Sequence, residues 1–232
     1  MRRLSKVVIK WSVPFAYAIG LIVTDGNLSK DGRHISFTSK DKDLVVLFSK
    51  CLNVNNKVGR KARNKNAIKK YFVIQCGDKN FYEFLVSIGL MPAKSRKLKA
   101  VKIPQLYFAD FLRGCIDGDG SIGIFNHPES VHPQLRVSLS SASYPFLAWA
   151  KAMIAKCTTV TGGSIKLGKR VFYLCYSTAD SKRILKIIYY KKGVPRLYRK
   201  YLRARPFLGT LFKQYLLLSK NMQLSHNESV PR

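Results

Sequence analysis

The chain has 232 residues, of which 47% are hydrophobic and 12% aromatic, so it can fill a core and is not a disordered protein. It carries 42 Lys and Arg against 12 Asp and Glu, a formal charge of +30. An imbalance of this size indicates a polyanionic partner rather than only a solvated basic surface. The longest apolar run, at residues 15–23, is too short to cross a bilayer, and no signal peptide is visible. We therefore expect no membrane partner.

The cysteines predict the compartment. The five cysteines form no CxxC pair, and each lies in an otherwise apolar stretch. This usage argues against a zinc site or a disulfide framework and indicates a reducing environment. We therefore expect an intracellular protein, in the cytoplasm of a prokaryote or in an organelle.

An internal repeat organises the chain. Residues 20–26 read GLIVTDG, and residues 114–120, 94 positions later, read GCIDGDG. Apolar residues run nearly all round the helix predicted for each copy, so both helices should be buried. Gly20 and Gly114 lack side chains and leave room for a second backbone to approach closely.

Each copy ends in an Asp-Gly pair, Asp25-Gly26 in the first and Asp119-Gly120 in the second. We predict that both glycines take the left-handed conformation that stops a helix. Each aspartate would then lie at the negative pole of its helix, where a carboxylate is disfavoured by about 0.3–1 kcal/mol. If the helices pack side by side, the two carboxylates repel each other unless they are protonated or bind a hard cation such as Mg²⁺. The alternative is that Asp-Gly is only a turn dipeptide.

The same series of elements follows each copy. An alternating strand (residues 35–39 and 137–141) is followed by a helix, a basic hairpin and a closing helix. The predicted fold class is therefore α+β, with two pseudo-symmetric αββαββα units. The predicted boundaries are an N-terminal unit at residues 1–92, a linker at 93–106, a C-terminal unit at 107–218 and a disordered tail at 219–232.

The paired motifs, with their matching strands, resemble those of the single-chain LAGLIDADG homing endonucleases over roughly residues 13–202. Val23 and Thr24 replace the usual Asp and small residue in the first copy, but the penultimate acid is present in both. The resemblance implies a pseudo-dimeric monomer, without a required protein partner, whose helices pack behind two antiparallel sheets. These sheets would form a saddle over double-stranded DNA. The implied activity is hydrolysis of both strands of a long asymmetric target with Mg²⁺, whose sites Mn²⁺ or Ca²⁺ can also occupy.

The resemblance also implies roles for individual residues. Metal ions would bind the carboxylates of Asp25 and Asp119. The backbone carbonyls of Thr24 and Gly118 would be further ligands. Lys94 and Lys200 would lie near the scissile phosphates. The hydroxyls of Ser39 and Ser141 would order water in the site. Arg199 remains an open alternative to Lys200 because the two are adjacent.

Base recognition is expected on the strands, because a β-ribbon fits the major groove. Side chains that alternate with the core residues, together with basic residues on the hairpins, form the predicted DNA surface. In the first unit these are Arg33, His34, Ser36, Thr38, Lys40, Arg60, Lys61, Arg63, Lys65 and Lys69. In the second they are Arg136, Ser138, Ser140, Lys166, Lys169 and Arg170. The two sets differ, so we expect an asymmetric target.

Two other functions are compatible with the sequence. An RNA maturase of the same fold would bind a structured intron, and a non-cleaving regulator of the same fold would bind DNA alone. The basic charge serves all three functions. The presence of both acids favours cleavage.

Overall fold

The structure is a computed structural model that describes residues 6–62, 70–126 and 133–209. Within these ranges two similar units follow each other. The first consists of α1 (Val13–Asp25), β1 (Gly26–Leu28), β2 (His34–Ser39), α2 (Lys42–Leu52), β3 (Gly59–Lys61), β4 (Tyr71–Gly77) and α3 (Lys79–Ser87). The second consists of α4 (Phe108–Asp119), β5 (Gly120–Phe125), β6 (Gln134–Ser141), α5 (Tyr144–Cys157), β7 (Ser164–Leu167), β8 (Phe172–Tyr176) and α6 (Thr178–Ile188). The predicted αββαββα order is confirmed in both, and a further helix, α7 (Tyr198–Ala204), follows the second.

The strands form two antiparallel sheets of the same topology. Their orders are β1-β2-β4-β3 and β5-β6-β8-β7. One face of each sheet carries the core side chains, such as Phe37 in β2 and Leu139 in β6, and packs on the helices. The other face carries polar side chains that alternate with them. The α+β fold with helices behind two antiparallel sheets is therefore confirmed.

The two central helices, α1 and α4, pack directly against each other at the two repeated glycines. A Cβ atom on Gly20 would overlap the backbone carbonyl of Phe111, and one on Gly114 would overlap that of Tyr17. Only glycine at both positions allows the backbones to meet. The predicted close approach is confirmed.

The prediction of left-handed glycines at the helix ends is wrong. Gly26 (φ −78°, ψ 154°) and Gly120 (φ −88°, ψ 168°) are extended, and each begins the strand that follows its helix. A Cβ atom at either position would lie 2.6 Å from the carbonyl oxygen four residues earlier, in Ile22 or Ile116. Close packing, rather than a positive φ, therefore requires glycine here.

The predicted linker packs against the rest of the molecule. It contains 3-10 turns at Lys94–Arg96 and Gln105–Tyr107, and Leu98 and Val101 are buried. The hydroxyl of Ser143, at the start of α5, donates to the carbonyl of Leu98. The predicted tail at residues 219–232 lies outside the described residues. None of the helices in the described ranges is long and apolar enough to cross a membrane.

Candidate metal and nucleic-acid site

The packing of α1 on α4 brings the ends of both motifs together. A Cβ atom on Gly118 would lie 2.9 Å from a carboxylate oxygen of Asp25 and would overlap the hydroxyl of Thr24. Thr24 of the first copy therefore packs against Gly118 of the second, where no side chain fills the space. Thr24 donates its hydroxyl to the carbonyls of Gly20 and Leu21, so this side chain bonds back to the preceding turn of its own helix.

The pKa values of both aspartates are raised, and Asp119 contributes to the shift of Asp25. Burial, and then the charge of Asp119, raise the pKa of Asp25 to about 7, against the opposing charges of two lysines. Asp119 is open to solvent on one side, but the surrounding protein still raises the pKa of its carboxyl above the ordinary value. Neither carboxylate makes a hydrogen bond or ion pair with another described residue.

This donor set fits a hard divalent cation. Mg²⁺ is commonly held by one or two carboxylates, with water or substrate phosphate completing its shell. Asp25 and Asp119, whose carboxylates have no partner in the part of the chain that the structure describes, offer such ligands. The described residues gather no group of three or more His, Cys, Asp or Glu, so zinc fits less well. The predicted carbonyl ligands of Thr24 and Gly118 also accept hydrogen bonds from lysines, at 3.3 Å and 3.1 Å.

Lys94 and Lys200 occupy equivalent places in the two units. Each is only 6% exposed and directs its amine at the carbonyls that end the central helix of its unit. Lys94 Nζ donates to the carbonyls of Gly26 (2.5 Å) and Thr24. Lys200 Nζ lies 2.7–3.1 Å from four carbonyls of α4 and β5, those of Ile116, Asp117, Gly118 and Gly120. A cation at a helix C-terminus stabilises the helix dipole.

Burial lowers the pKa of both lysines to about 8, although nearby aspartates oppose the shift. The charges of Asp119 and Asp25 act on Lys94, whereas Asp117 is the main acid acting on Lys200. Each lysine therefore stabilises a helix end and also places positive charge beside the paired carboxylates.

Arg199, the alternative to Lys200, points elsewhere. It is exposed, and its guanidinium makes a bidentate ion pair with Asp41, at 2.7–3.2 Å, at the start of α2 in the other unit. This hydrogen-bonded contact holds the pKa of Asp41 below its usual range. Of the two adjacent basic residues, Lys200 is the one directed at the helix ends.

Ser39 and Ser141, the predicted water-ordering residues, make matching contacts in the two units. Ser39 accepts a hydrogen bond from the Asp41 backbone (3.2 Å), and Ser141 accepts one from that of Ser143 (3.1 Å). Both hydroxyls are half-buried, and each can still donate its proton. The neighbouring Ser140 donates its hydroxyl to the carbonyl of Asp119 at 2.7 Å.

The register of the sheets shows which predicted DNA-binding residues share the open face. Residues directly opposite each other across two strands point to the same face. Ser36 is opposite Gln75, Ser138 is opposite Cys175, and both pairs lie on the polar face. The other predicted residues on these two open faces are His34, Thr38, Lys61, Arg136, Ser140 and Lys166.

The remaining predicted contacts are placed differently. Arg60 is opposite Phe72 on the helix-side face, and its guanidinium lies 4.5 Å from that ring. His34 shares the open face, and its imidazole contacts Asp31, whose carboxylate also accepts hydrogen bonds from the backbone amides of Arg33 and His34. The exposed residues outside the strands are Arg33, Lys40, Lys169 and Arg170. The predicted residues Arg63, Lys65 and Lys69 lie outside the described residues.

The sequence did not predict a cleft of about 310 Å³ that opens beside Asp119. It lies between the start of β5, with Ser121, and the exposed side of α7, with Arg199 and Arg203. The signal in the sequence is the spacing on α7. Its two arginines are four residues apart and so lie on one side of the helix.

A buried polar cluster inside the second unit was also not predicted. Arg113 is fully buried, pairs with Asp110 at 2.6 Å, and donates to the carbonyls of Ile188 and Pro195. Asp117 accepts hydrogen bonds from the Tyr17 hydroxyl and the Leu197 backbone, both at 2.7 Å. These bonds hold the segment between α6 and α7, which carries Lys200.

No family model and no curated protein matches the sequence, but solved structures match the fold. The homing endonuclease I-WcaI bound to its DNA recognition sequence has 13% identity, with 88% of both chains covered and a TM-score of 0.56. Mesophilic variants of the homing endonuclease I-DmoI have 16% identity, over 79% of this chain and 94% of theirs, with a TM-score of 0.53. Full-length WhiA from Thermatoga maritima has 16% identity, over 95% of this chain and 70% of WhiA, with a TM-score of 0.54. The chain therefore has the LAGLIDADG fold, which it shares with these endonucleases and with the N-terminal domain of WhiA.

Proposed function

We propose that this protein is a monomeric, site-specific DNA endonuclease of the homing type, which hydrolyses both strands of an asymmetric target with divalent metal ions. The observation that carries the proposal is the convergence of Asp25 and Asp119, one from each unit, at the ends of two packed helices. Neither carboxylate has a partner among the described residues, and burial together with the charge of Asp119 makes ionisation of Asp25 costly. A bound cation removes that cost.

Structures of the same fold support the choice of ligand. I-WcaI and I-SmaMI are bound to DNA, the latter in the presence of calcium ions, and I-DmoI complexes contain target DNA with magnesium or DNA with manganese. The net charge of +30 gives this chain the electrostatics that a phosphate backbone requires. Double-stranded DNA is therefore the proposed partner.

The proposed chemistry divides the work between the cation and the chain. When bound, a divalent cation supplies an activated water and stabilises the attacking and leaving oxygens of an in-line displacement. Asp25 and Asp119 would hold it. Lys94 and Lys200 would stabilise negative charge that develops on the scissile phosphates, in addition to fixing the helix ends. Ser39 and Ser141 would donate hydrogen bonds to ordered water.

The open sheet faces would read the target. Arg136 lies 5.1 Å from the Phe125 ring, on the same face as Ser138, and combines a guanidinium with an aromatic edge for base contacts. In the first unit the position equivalent to Arg136 is His34, on the same face as Ser36 and Thr38. Because the two faces differ, the preferred site should not be a palindrome.

The proposal is tested with a randomised duplex library, incubated with the protein and Mg²⁺ and sequenced at the cut ends. We expect a defined asymmetric site that is cut in Mg²⁺ or Mn²⁺ and remains intact in excess EDTA. Asp25→Asn and Asp119→Asn should bind the recovered site but not cut both of its strands, whereas Asp43→Asn, an exposed acid on α2, should cut normally. Binding without cutting by the wild-type chain would favour a regulator, and selective binding of structured RNA would favour a maturase.

A further inference from the structure

The cleft beside Asp119 contains three basic side chains, and two of them already have partners. Lys200 directs its amine at the carbonyls of α4 and β5. Arg199 is paired with Asp41. The third, Arg203, is exposed, makes a single long hydrogen bond (3.5 Å) to the carbonyl of Ile122, and pairs with no carboxylate in the described ranges. Its guanidinium charge is therefore available to an anion in the cleft.

The position of Arg203 is fixed by the rest of α7. Lys200 and Ala204 are buried on one side of this helix, and Arg199 and Arg203, also four residues apart, are exposed on the adjacent side. The contacts of Lys200 with the end of α4 and the ion pair of Arg199 with Asp41 hold the helix at two points. The helix therefore holds Arg203 on the wall of the cleft that Asp119 also lines.

We propose that Arg203 binds a DNA backbone phosphate in this cleft, next to the cation held at Asp119. The inference rests on the proposed function and adds a positioning residue to it. A guanidinium presents a planar fork of N–H donors that matches two phosphate oxygens, which an ammonium group does not. The long contact to Ile122 is weak, so the phosphate can displace it at little cost.

A basic residue in the first unit has the same spacing. Lys97 follows Lys94 by three residues, as Arg203 follows Lys200, and it is also exposed. A lysine binds phosphate as a point charge and not as a bidentate partner.

The test compares Arg203→Ala with Arg203→Lys and with Arg205→Ala, which removes an equal charge from an exposed position outside the cleft. Ethylation-interference mapping identifies the phosphates whose modification inhibits binding. One such phosphate should be absent from the pattern of Arg203→Ala only. The log–log salt slope of binding should become shallower by about 0.9 in Arg203→Ala, the value for one phosphate, and less in Arg203→Lys. Strand-specific cleavage should slow at least tenfold on one strand of the recovered target, with the other strand changing less.

The outcomes separate this inference from the proposed function. An unchanged interference pattern in Arg203→Ala, or the same loss in Arg205→Ala, would overturn the phosphate contact. A wild-type protein that binds duplex DNA, loses that phosphate in Arg203→Ala and never cuts would support the contact and overturn the endonuclease. A wild-type protein that binds no DNA would overturn both. Because Arg203 is exposed, circular dichroism of the variant should match that of the wild type.

Discussion

The two units place a lysine at the end of a central helix in the same way but support it by different means. In α1 the interior positions are apolar, with Ile19 and Val23 buried. The equivalent positions of α4 are Arg113 and Asp117, which are also buried. One helix therefore contributes hydrophobic packing where its counterpart contributes charge.

The difference follows from what each helix must hold. Arg113 and Asp117 bind the irregular segment after α6 and so fix the start of α7, which carries Lys200. Lys94 lies in a turn whose backbone is already tied, because the amides of Lys97 and Leu98 donate to its carbonyl. Two equivalent lysines can therefore be held in place by different kinds of contact. The second unit uses buried polar side chains to hold the segment before Lys200, whereas backbone hydrogen bonds hold the turn that carries Lys94.

The largest expected effect comes from breaking the polar support. Arg113→Met keeps most of the volume but leaves Asp110 as a buried charge without its ion-pair partner, which costs about 3–5 kcal/mol of unfolding free energy. The matched change in the first unit, Ile19→Met, replaces one buried apolar side chain by another and should cost less than about 1.5 kcal/mol. Urea denaturation of both variants measures the difference.

A second substitution sharpens this result. Adding Asp110→Asn to Arg113→Met removes the buried charge and should recover part of the lost stability. Equal costs for Arg113→Met and Ile19→Met, or no recovery in the double variant, would show that the buried ion pair does not support the second unit.

The next effect should be equal in the two units. Gly20→Ala and Gly114→Ala each insert a Cβ atom into the backbone of the opposing helix and should cost about 1–3 kcal/mol or more. Gly32→Ala supplies a contrast, because its cost comes from a positive φ of 73° and not from any close neighbour. Thermal unfolding of the three variants checks this. A tolerated alanine at only one of the paired glycines would contradict the symmetric contact.

The sequence predicted the features that repeat. Gly20 and Gly114 indicated a close helix contact because they recur in register, and the alternation around Ser36 and Ser138 identified the polar face of each sheet. These properties are local or duplicated. They can therefore be derived from spacing alone.

The features that do not repeat were not predicted. Arg113 bonds to residues more than seventy positions away, and the Arg199–Asp41 pair spans 158 positions. No periodicity links such residues. The extended φ of Gly26 was also missed, because Asp-Gly at a helix end has the same composition whether a left-handed turn or a strand follows. The face on which Arg60 lies depends on strand register, because a shift of one residue moves a side chain to the other face of the sheet.

The smallest effect concerns the contacts that hold the starts of α2 and α5. The start of α2 is held by the Asp41–Arg199 ion pair, and the start of α5 by the neutral hydrogen bond from Ser143 to Leu98. Asp41→Asn should cost less than about 1 kcal/mol at neutral pH, because the pair is partly exposed. The pKa of Asp41 is lowered in the folded protein, so its contribution is present above the ordinary carboxyl pKa and is lost as the pH falls through the lowered value.

Urea denaturation at neutral and at acidic pH tests this sign. The stability difference between wild type and Asp41→Asn should shrink in acid, whereas Asp43→Asn, an exposed neighbour on the same helix, should differ little from wild type at either pH. A difference that grows in acid would contradict the assignment.

The most direct test of the paired carboxylates is a count of Mn²⁺ ions bound to the complex with duplex DNA, measured by electron paramagnetic resonance. The wild type should bind Mn²⁺ in competition with Mg²⁺, and Asp25→Asn and Asp119→Asn should each reduce the bound metal while keeping DNA affinity. Asp31→Asn, which lies on a distant turn, should bind as the wild type does. Unchanged Mn²⁺ binding in both helix-end variants would contradict the claim that these two aspartates hold the metal.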